Sequence, residues 1–326
     1  ANSPPRYLPF LQGRYDVTPG LYRVGTDFGN GAADQQLFQF DGQFVHYRAA
    51  KLAARRENPS KYICTDGLTA EVAHTVNAHL AHQLAAEHPG RFTFGSTANR
   101  VRLDCALTGE TLHFDGHYKL LTTEPREGVT PPYLHGLDAL ACQLQEDLAV
   151  VAADKDGDQV CAIHLCFPNH WAPQDKIARS FHAIHAPVPG MAPINRKAAQ
   201  LITAMIHKGP FVRFAWGLAT DTRLNHHPVA PPGEDPACWA GRSFDADCPK
   251  LYLRVERQTT VGFPEVNAAL FTIRSYFYDV AQIRREPAAC APLVSAIESM
   301  SGTQLAYKGL ARDRDAIVAW LRGGGG

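Results

Sequence analysis

Between Leu251 and Asp279 the chain reads LYLRVERQTTVGFPEVNAALFTIRSYFYD, and its apolar positions recur at every second residue. Leu251, Leu253 and Val255 alternate with Tyr252, Arg254, Glu256 and Gln258, which is the period of a strand. After a short loop, Phe271, Ile273 and Phe277 alternate with Thr272, Arg274 and Tyr276. The pattern predicts a β-hairpin in which each strand has an apolar face and a face carrying Arg, Glu, Gln or Tyr. A polar face turned to water makes an ordinary one-sided antiparallel sheet. Turned into a pocket, it makes the wall of a site.

Elsewhere the period is helical. Tyr47 to Asn58, YRAAKLAARREN, predicts a basic helix with a solvated face. Thr69 to His88 carries Val72, Val76, Leu80 and Leu84 at helical spacing, with Thr69 as N-cap and Pro89-Gly90 as the stop. Its His74, His79, His82 and His88 read as surface or packing groups. Residues 91–121 alternate like strands, and TTEPREGVTPP (122–132) has the turn formers of a linker. Further on, the patterns predict a helix over Leu137–Val151, a strand over Val160–Phe167, helices over Pro173–Ile184 and Asn195–His207, and a strand over Phe211–Leu218. Cys290–Leu321 reads as mostly helical. Asp154–Asp158, DKDGD, opens like a calcium loop but has Leu165 where the twelfth position requires Glu, so it reads as a polar turn. The loop PPGEDPACWAGRSFDADCP (231–249) is long enough to suspect function.

This order predicts an α+β fold, an antiparallel sheet with helices packed on it. The expected division is an N-terminal α/β segment over 1–125 packed on the core, a sheet domain over 133–285, a helical extension over 286–322 and a linker remnant over 323–326.

Composition narrows the function. The chain has 326 residues, 45% hydrophobic and 20% charged, with 32 basic and 32 acidic side chains. Zero formal charge argues against nucleic acid as the main partner. No apolar run approaches the about 18 residues of a membrane span, and the start lacks a secretory pattern. The eight cysteines form no CxxC pair, which removes the usual zinc, thioredoxin and iron–sulfur spacings. Scattered thiols predict a reducing, cytoplasmic setting. The glycines from Gly25 to Gly31 do not fit GxGxxG, so no NAD or flavin site is expected in this chain.

Of the fifteen histidines, His182 and His185 in SFHAIHAPVPG stand three apart, on adjoining positions of one helical face. A proline-stopped helix end restricts His185. One histidine cannot build a zinc site, but it can be the sole protein ligand of a haem. The alternative is a histidine satisfied by backbone contacts.

The runs QEDLAVV (145–151), CFPNHWAPQDKIARSFHAIHAPVPG (166–190), RFAWGL (213–218), LRVERQT (253–259) and FTIRSY (271–276) occur in the order seen in the haem-dependent oxidative N-demethylase family. The chain resembles that family from the helix near Tyr47 to Tyr278. The resemblance implies a PAS-like fold, with a five-stranded antiparallel sheet and helices that clasp haem b, and oxidation of a small secondary amine with O2. It implies His185, in IHxPVP, as the proximal iron ligand, with His182 as the alternative. The RVERQ strand, with Arg254, Glu256, Arg257 and Gln258, becomes the distal wall, joined by Arg274.

In that setting an Arg donor stabilises negative charge on oxygen, and Glu256 holds a cationic amine or relays a proton. A buried Glu256 needs a partner, expected to be Arg254, Arg274 or substrate. Trp216 reads either as a packing surface for the macrocycle or as a core Trp. Lys176, Arg179 and Arg213 are candidates for the haem propionates. Ala215 before Trp216 departs from the Asn expected there, which leaves the substrate open. A separate flavin or iron–sulfur reductase is the expected electron source, with the substrate itself as the alternative. The rival function is a PAS-type haem sensor for O2, CO or NO, though no output-domain signature accompanies it.

Overall fold

The structure is a computed structural model that describes residues 4–17, 20–125 and 128–323; most of the glycine tail read as a linker remnant (324–326) lies outside them. Strand-period segments collect into two antiparallel sheets. The larger contains β1 (Tyr22–Arg23), β2 (Ile63–Thr65), β7 (Asp147–Asp154), β8 (Gly157–His164), β9 (Phe211–Ala219), β10 (Tyr252–Phe263) and β11 (Ala268–Asp279), in the order β1-β9-β10-β11-β7-β8-β2. Five long strands form its middle, and the N-terminal segment closes both edges. The smaller sheet is a meander of β3 (Phe92–Thr97), β4 (Arg100–Cys105), β5 (Glu110–Asp115) and β6 (Leu120–Glu124).

The helices are α1 (Phe44–Glu57), α2 (Pro59–Tyr62), α3 (Ala70–Glu87), α4 (Gly136–Ala141), α5 (Phe181–His185), α6 (Ala192–Asn195), α7 (Ala198–His207), α8 (Pro236–Trp239), α9 (Val280–Arg284), α10 (Pro287–Glu298), α11 (Gly302–Lys308) and α12 (Arg314–Arg322). As the pattern predicts, the Thr69 hydroxyl caps α3 by accepting from the Val72 N–H, and Asp154–Gly157 is the β7–β8 hairpin turn. Among the described residues no helix is long and apolar enough to cross a membrane.

The main sheet is covered on both faces. On one, Val151, Ile163 and Ile273 pack against Ile202, Met205 and Ile206 of α7. Gly262 of β10 permits the close approach, because a Cβ there would overlap the Ile206 carbonyl. On the other face, Val150 and Leu270 meet α3 and the meander, while Leu253, Val255 and Tyr276 meet residues of α9, α10 and α12.

Three expectations need correction. The segment 137–151 is helical only to Ala141 and then becomes β7. The turn is set by Asp147, whose carboxylate accepts from the Cys166 and Phe167 N–H groups at 2.9 and 2.7 Å. Because β7 is central, its apolar run does not alternate clearly, and periodicity alone cannot tell it from a helix. The helix expected over 173–184 is broken. Ala178 adopts φ 57°, its N–H donates to the Val160 carbonyl, and Val160 N–H donates to Arg179, so residues 178–179 pair with β8 before Ser180 caps α5.

The third correction concerns α1, whose Arg48, Lys51 and Arg55 are buried rather than solvated, with only Arg56 exposed. Arg48 pairs with Glu110. Lys51 donates to the carbonyls of Ala141 and Glu146. Arg55 holds both oxygens of buried Asp138 at 3.0 and 2.9 Å and donates to the carbonyls of Pro131 and Pro132. The turn-rich 122–132 segment is thereby tied down at its end. Burial raises the Asp138 carboxyl, but the His164 hydrogen bond and Arg55 outweigh it and hold the group well below the usual carboxylate range.

Removing one partner of such a buried pair leaves the other uncompensated, so Arg55→Ala is expected to cost about 3–5 kcal/mol, read from denaturant midpoints. The Asp138 contribution should be complete above its unfolded pKa of about 3.9 and be lost as pH falls through its lower folded value.

Candidate active site

A partly open cavity of about 280 Å³ lies between the α7-facing side of the main sheet and the chain from Asn169 to Met205. Val151, Ile163, Phe181, Met205, Phe271 and Ile273 give it an apolar portion. Arg213, Arg242, Arg254, Glu256 and Lys308 give it a charged one.

Strand register decides which charges reach it. Arg254 lies opposite Phe277, Glu256 opposite Ser275, Gln258 opposite Ile273 and Thr260 opposite Phe271. Directly paired residues point to the same side. The polar face of β10 therefore shares a side with the apolar face of β11. Arg257 and Arg274, paired with each other, point to the opposite side. There Arg274 donates to Asp41 at 2.8 Å and stacks on Tyr47, while Arg257 donates to the carbonyls of Gln36 and Leu37. The single polar wall expected from both strands is thus half realised: Arg254, Glu256 and Gln258 line the cavity, whereas Arg257 and Arg274 anchor the chain at 36–41.

His185 ends a five-residue helix capped by Ser180. Its Nδ1 is 2.8 Å from the Phe181 carbonyl, which can only accept, so Nδ1 carries the proton. In the neutral ring Nε2 then holds the lone pair. Burial, only partly opposed by the Phe181 hydrogen bond, and the positive charges of Lys176 and Arg213 push the pKa down to about 4, so the imidazole is neutral at pH 7. His182 instead is exposed and lines a separate surface groove with Asn195 and Arg196.

Glu256 is buried, and its oxygens accept from Asn169 Nδ2 at 3.1 Å and Gln258 Nε2 at 2.9 Å. Neither Arg254 nor Arg274 forms the salt bridge expected with it. Arg254 donates to the Phe167 carbonyl at 2.7 Å and to His226 Nδ1 at 2.9 Å. His226 in turn donates from Nε2 to Asp221 at 2.8 Å. One β-bridge, Asn169 to His226, joins the residues that hold Glu256 and Arg254. Beside it His170 adopts φ 62°, a left-handed conformation uncommon outside glycine, and its ring stacks on His226.

Of the remaining expected residues, Lys176 lines the cavity with Nζ 4.3 Å from the Trp171 ring. Arg213 lines it with an unpartnered, buried Nε. Arg179 is exposed and outside it. The Trp216 ring packs against Phe10 and Tyr15 in the C-terminal core, on the Val255 side of the sheet. Trp216 is also among the residues lining the cavity, and its carbonyl accepts from Lys308 at 2.8 Å.

Sequence reasoning assigned no role to Asn169, His170, Arg242 or Lys308. The first two lie inside the CFPNHWAP run, and Arg242 lies in the long loop flagged above, so position alone offered a signal. For Lys308 there was none.

Two other groups carry ligand chemistry, Asp138–Cys142–His164 and Asp147–His164–Cys166, both in the core. Arg55 already occupies both Asp138 oxygens, and Lys51 Nζ lies 4.0 Å from Asp147. A cation there would meet two positive charges.

A family model described as haem-dependent oxidative N-demethylase, alpha subunit-like, matches residues 30–318. The chain belongs to this haem-dependent oxidative N-demethylase alpha subunit-like family. The match takes in most of the cavity lining, apart from Tyr15, Asp16, Val17 and Leu21, and reaches into α12. The family description carries haem dependence and an oxidative reaction, and it describes one subunit of a larger enzyme. It gives no support to a gas sensor.

The assigned tautomer has a direct check. The ¹⁵N resonances of the His185 imidazole should report the Nδ1–H form and titrate near pH 4, rather than near the about 6.5 of a free histidine.

Proposed function

We propose that this chain is the haem-binding, amine-oxidising subunit of its enzyme, acting on a small N-methylated amine with O2. The observation that carries the proposal is the neutral His185 imidazole, its Nδ1 engaged by a carbonyl and its Nε2 lone pair free, in the same cavity as Glu256 and Arg254. The donors suit haem b. His185 would ligate the iron, the apolar portion would receive the macrocycle, and Lys176 and Arg213, which carry no carboxylate partner among the described residues, would take the propionates. Five long antiparallel strands with α5–α7 on one face support the PAS-like reading.

Haem bound there supplies O2 activation, so that an N-methyl group, O2, two electrons and two protons become the demethylated amine, formaldehyde and water. The protein's own groups do the rest. Glu256 accepts the substrate ammonium and moves its proton. Asn169 and Gln258 keep both carboxylate oxygens in place without neutralising them. Arg254, fixed by Phe167, Pro168 and His226, presents a preorganised positive charge to developing negative charge on oxygen. Electrons come from a separate flavin or iron–sulfur protein, in keeping with the alpha-subunit description. Eight unpaired cysteines support a cytoplasmic setting.

His185→Ala is expected to abolish stoichiometric haem uptake, read as loss of the Soret band after reconstitution. An unchanged five-coordinate histidine spectrum in that variant would remove the assignment. Glu256→Gln should keep the haem and lower kcat by about 10²- to 10⁴-fold; wild-type turnover would leave Glu256 a purely structural role.

A further inference from the structure

The charges lining the cavity do not balance. Lys176, Arg213, Arg242, Arg254 and Lys308 face it, against Glu256 and Asp16, and Asp16 is already in an ion pair with Arg14. The two propionates of a haem would satisfy two cations. Lys176 and Arg213, which line the cavity and form no ion pair among the described residues, are the two assigned to them above. That leaves a second positive corner.

Arg242 stands at that corner. It makes no hydrogen bond or ion pair among the described residues, and its Nε is buried without a partner. Its stem runs against Gly309, which adopts φ 71° and where a Cβ would overlap the Arg242 side chain. Lys308, the residue before Gly309, faces the same cavity. Tyr307, His170, Arg254 and Lys308 feel Arg242 or act on it. A buried cation without a counter-charge is costly, and here the backbone makes room for it. A ligand anion relieves that cost. Glu256 forms no salt bridge among the described residues, its oxygens being held by Asn169 and Gln258, and it acts on Arg213, Arg254 and Lys308 only at longer range, so its oxygens can receive a ligand ammonium in the same space.

We propose, resting on the amine-oxidising reading above, that Arg242 and Lys308 form a carboxylate subsite opposite Glu256, and that the amine taken here is an N-methyl amino acid rather than a simple alkylamine. The ammonium meets Glu256 and the carboxylate meets Arg242, so one zwitterion neutralises both orphan charges. A bare dialkylamine would leave Arg242 unpaired.

The test is calorimetric titration of the purified, haem-reconstituted protein with N-methylglycine, N,N-dimethylglycine and dimethylamine, alongside haem stoichiometry from the Soret band. Wild type should bind the two carboxylate-bearing probes more tightly than dimethylamine. Arg242→Gln should lower the ratio of N-methylglycine to dimethylamine affinity by about 10- to 100-fold, with haem stoichiometry intact, and Arg242→Lys should recover part of the ratio. Should Arg242→Gln fold poorly, Lys308→Met is to lower the same ratio. Tighter binding of dimethylamine by wild type, an unmoved ratio in a folded variant, or loss of haem from Arg242→Gln each overturns the subsite; the last would make Arg242 a propionate partner. Absence of a Soret band in wild type sinks the haem reading instead, and titration of the haem-free protein with N-methylglycine then decides the subsite on its own.

Discussion

Glu256 faces Ser275 across the β10–β11 ladder, and the organisation of the site follows from that pairing. A strand has two faces, and a shift of one residue would exchange them. In this register the β10 charges share a side with Phe271 and Ile273, so a carboxylate and a guanidinium stand beside an apolar surface. The complementary pair, Arg257 and Arg274, is sent to the far side. Slippage of β10 by one position would put Arg257 into the cavity and send Arg254 and Glu256 to the structural core. The twelve-residue ladder and the α7 contact at Gly262 both oppose that slip.

The two sides of the sheet treat buried charge differently. On the far side Arg274 has Asp41 at 2.8 Å, Arg257 has two carbonyls, and Glu146 sits close enough to act electrostatically on Arg274. On the cavity side Arg254 is held by carbonyls and a neutral histidine, and Glu256 by amides. Neutral partners fix position while leaving charge unspent, which is the condition for strong electrostatic action on a bound molecule. That difference, more than the burial common to both sides, separates the anchor from the candidate machinery.

Much of the architecture was legible because it rests on local rules. The hairpin came from period-two alternation, α3 from its spacing and Thr69 cap, the β7–β8 turn from DKDGD. The failures share one cause, namely tertiary contacts that local periodicity does not encode. Central β7 is buried on both faces and loses its alternation. The break at Ala178 exists because Val160 offers an edge to pair with. The α1 cations are consumed by Glu110, Asp138 and the carbonyls around Lys51, partners far away in the chain.

At the site the outcome is similar. His185, Arg254 and Glu256 were singled out by their motifs and line the same cavity, but the side each hairpin residue faces is a property of pairing between strands. The separation of His182 from His185 follows from where a five-residue helix lies on the sheet. Arg242 and Lys308 reach the cavity from a loop and a C-terminal helix, which no pattern within either segment could reveal.

A cavity built this way stores free energy in its empty form. Arg242 and Arg213 have a buried Nε without a partner and form no ion pair among the described residues, burial holds Lys308 down to about 8 against the pull of Glu256, and His170 keeps an unfavourable backbone conformation. Each feature destabilises the ligand-free protein, and an anionic, partly apolar ligand relieves the first two together. Binding that is exclusive to the folded state adds RT ln(1 + [L]/Kd) to stability, so the charges that weaken the empty fold are the ones that couple it most strongly to its ligands. The same imbalance selects among them: a neutral molecule of equal size gains only the apolar contact and a cationic one adds Glu256 alone, whereas one that also carries a carboxylate gains pairing with the cations as well.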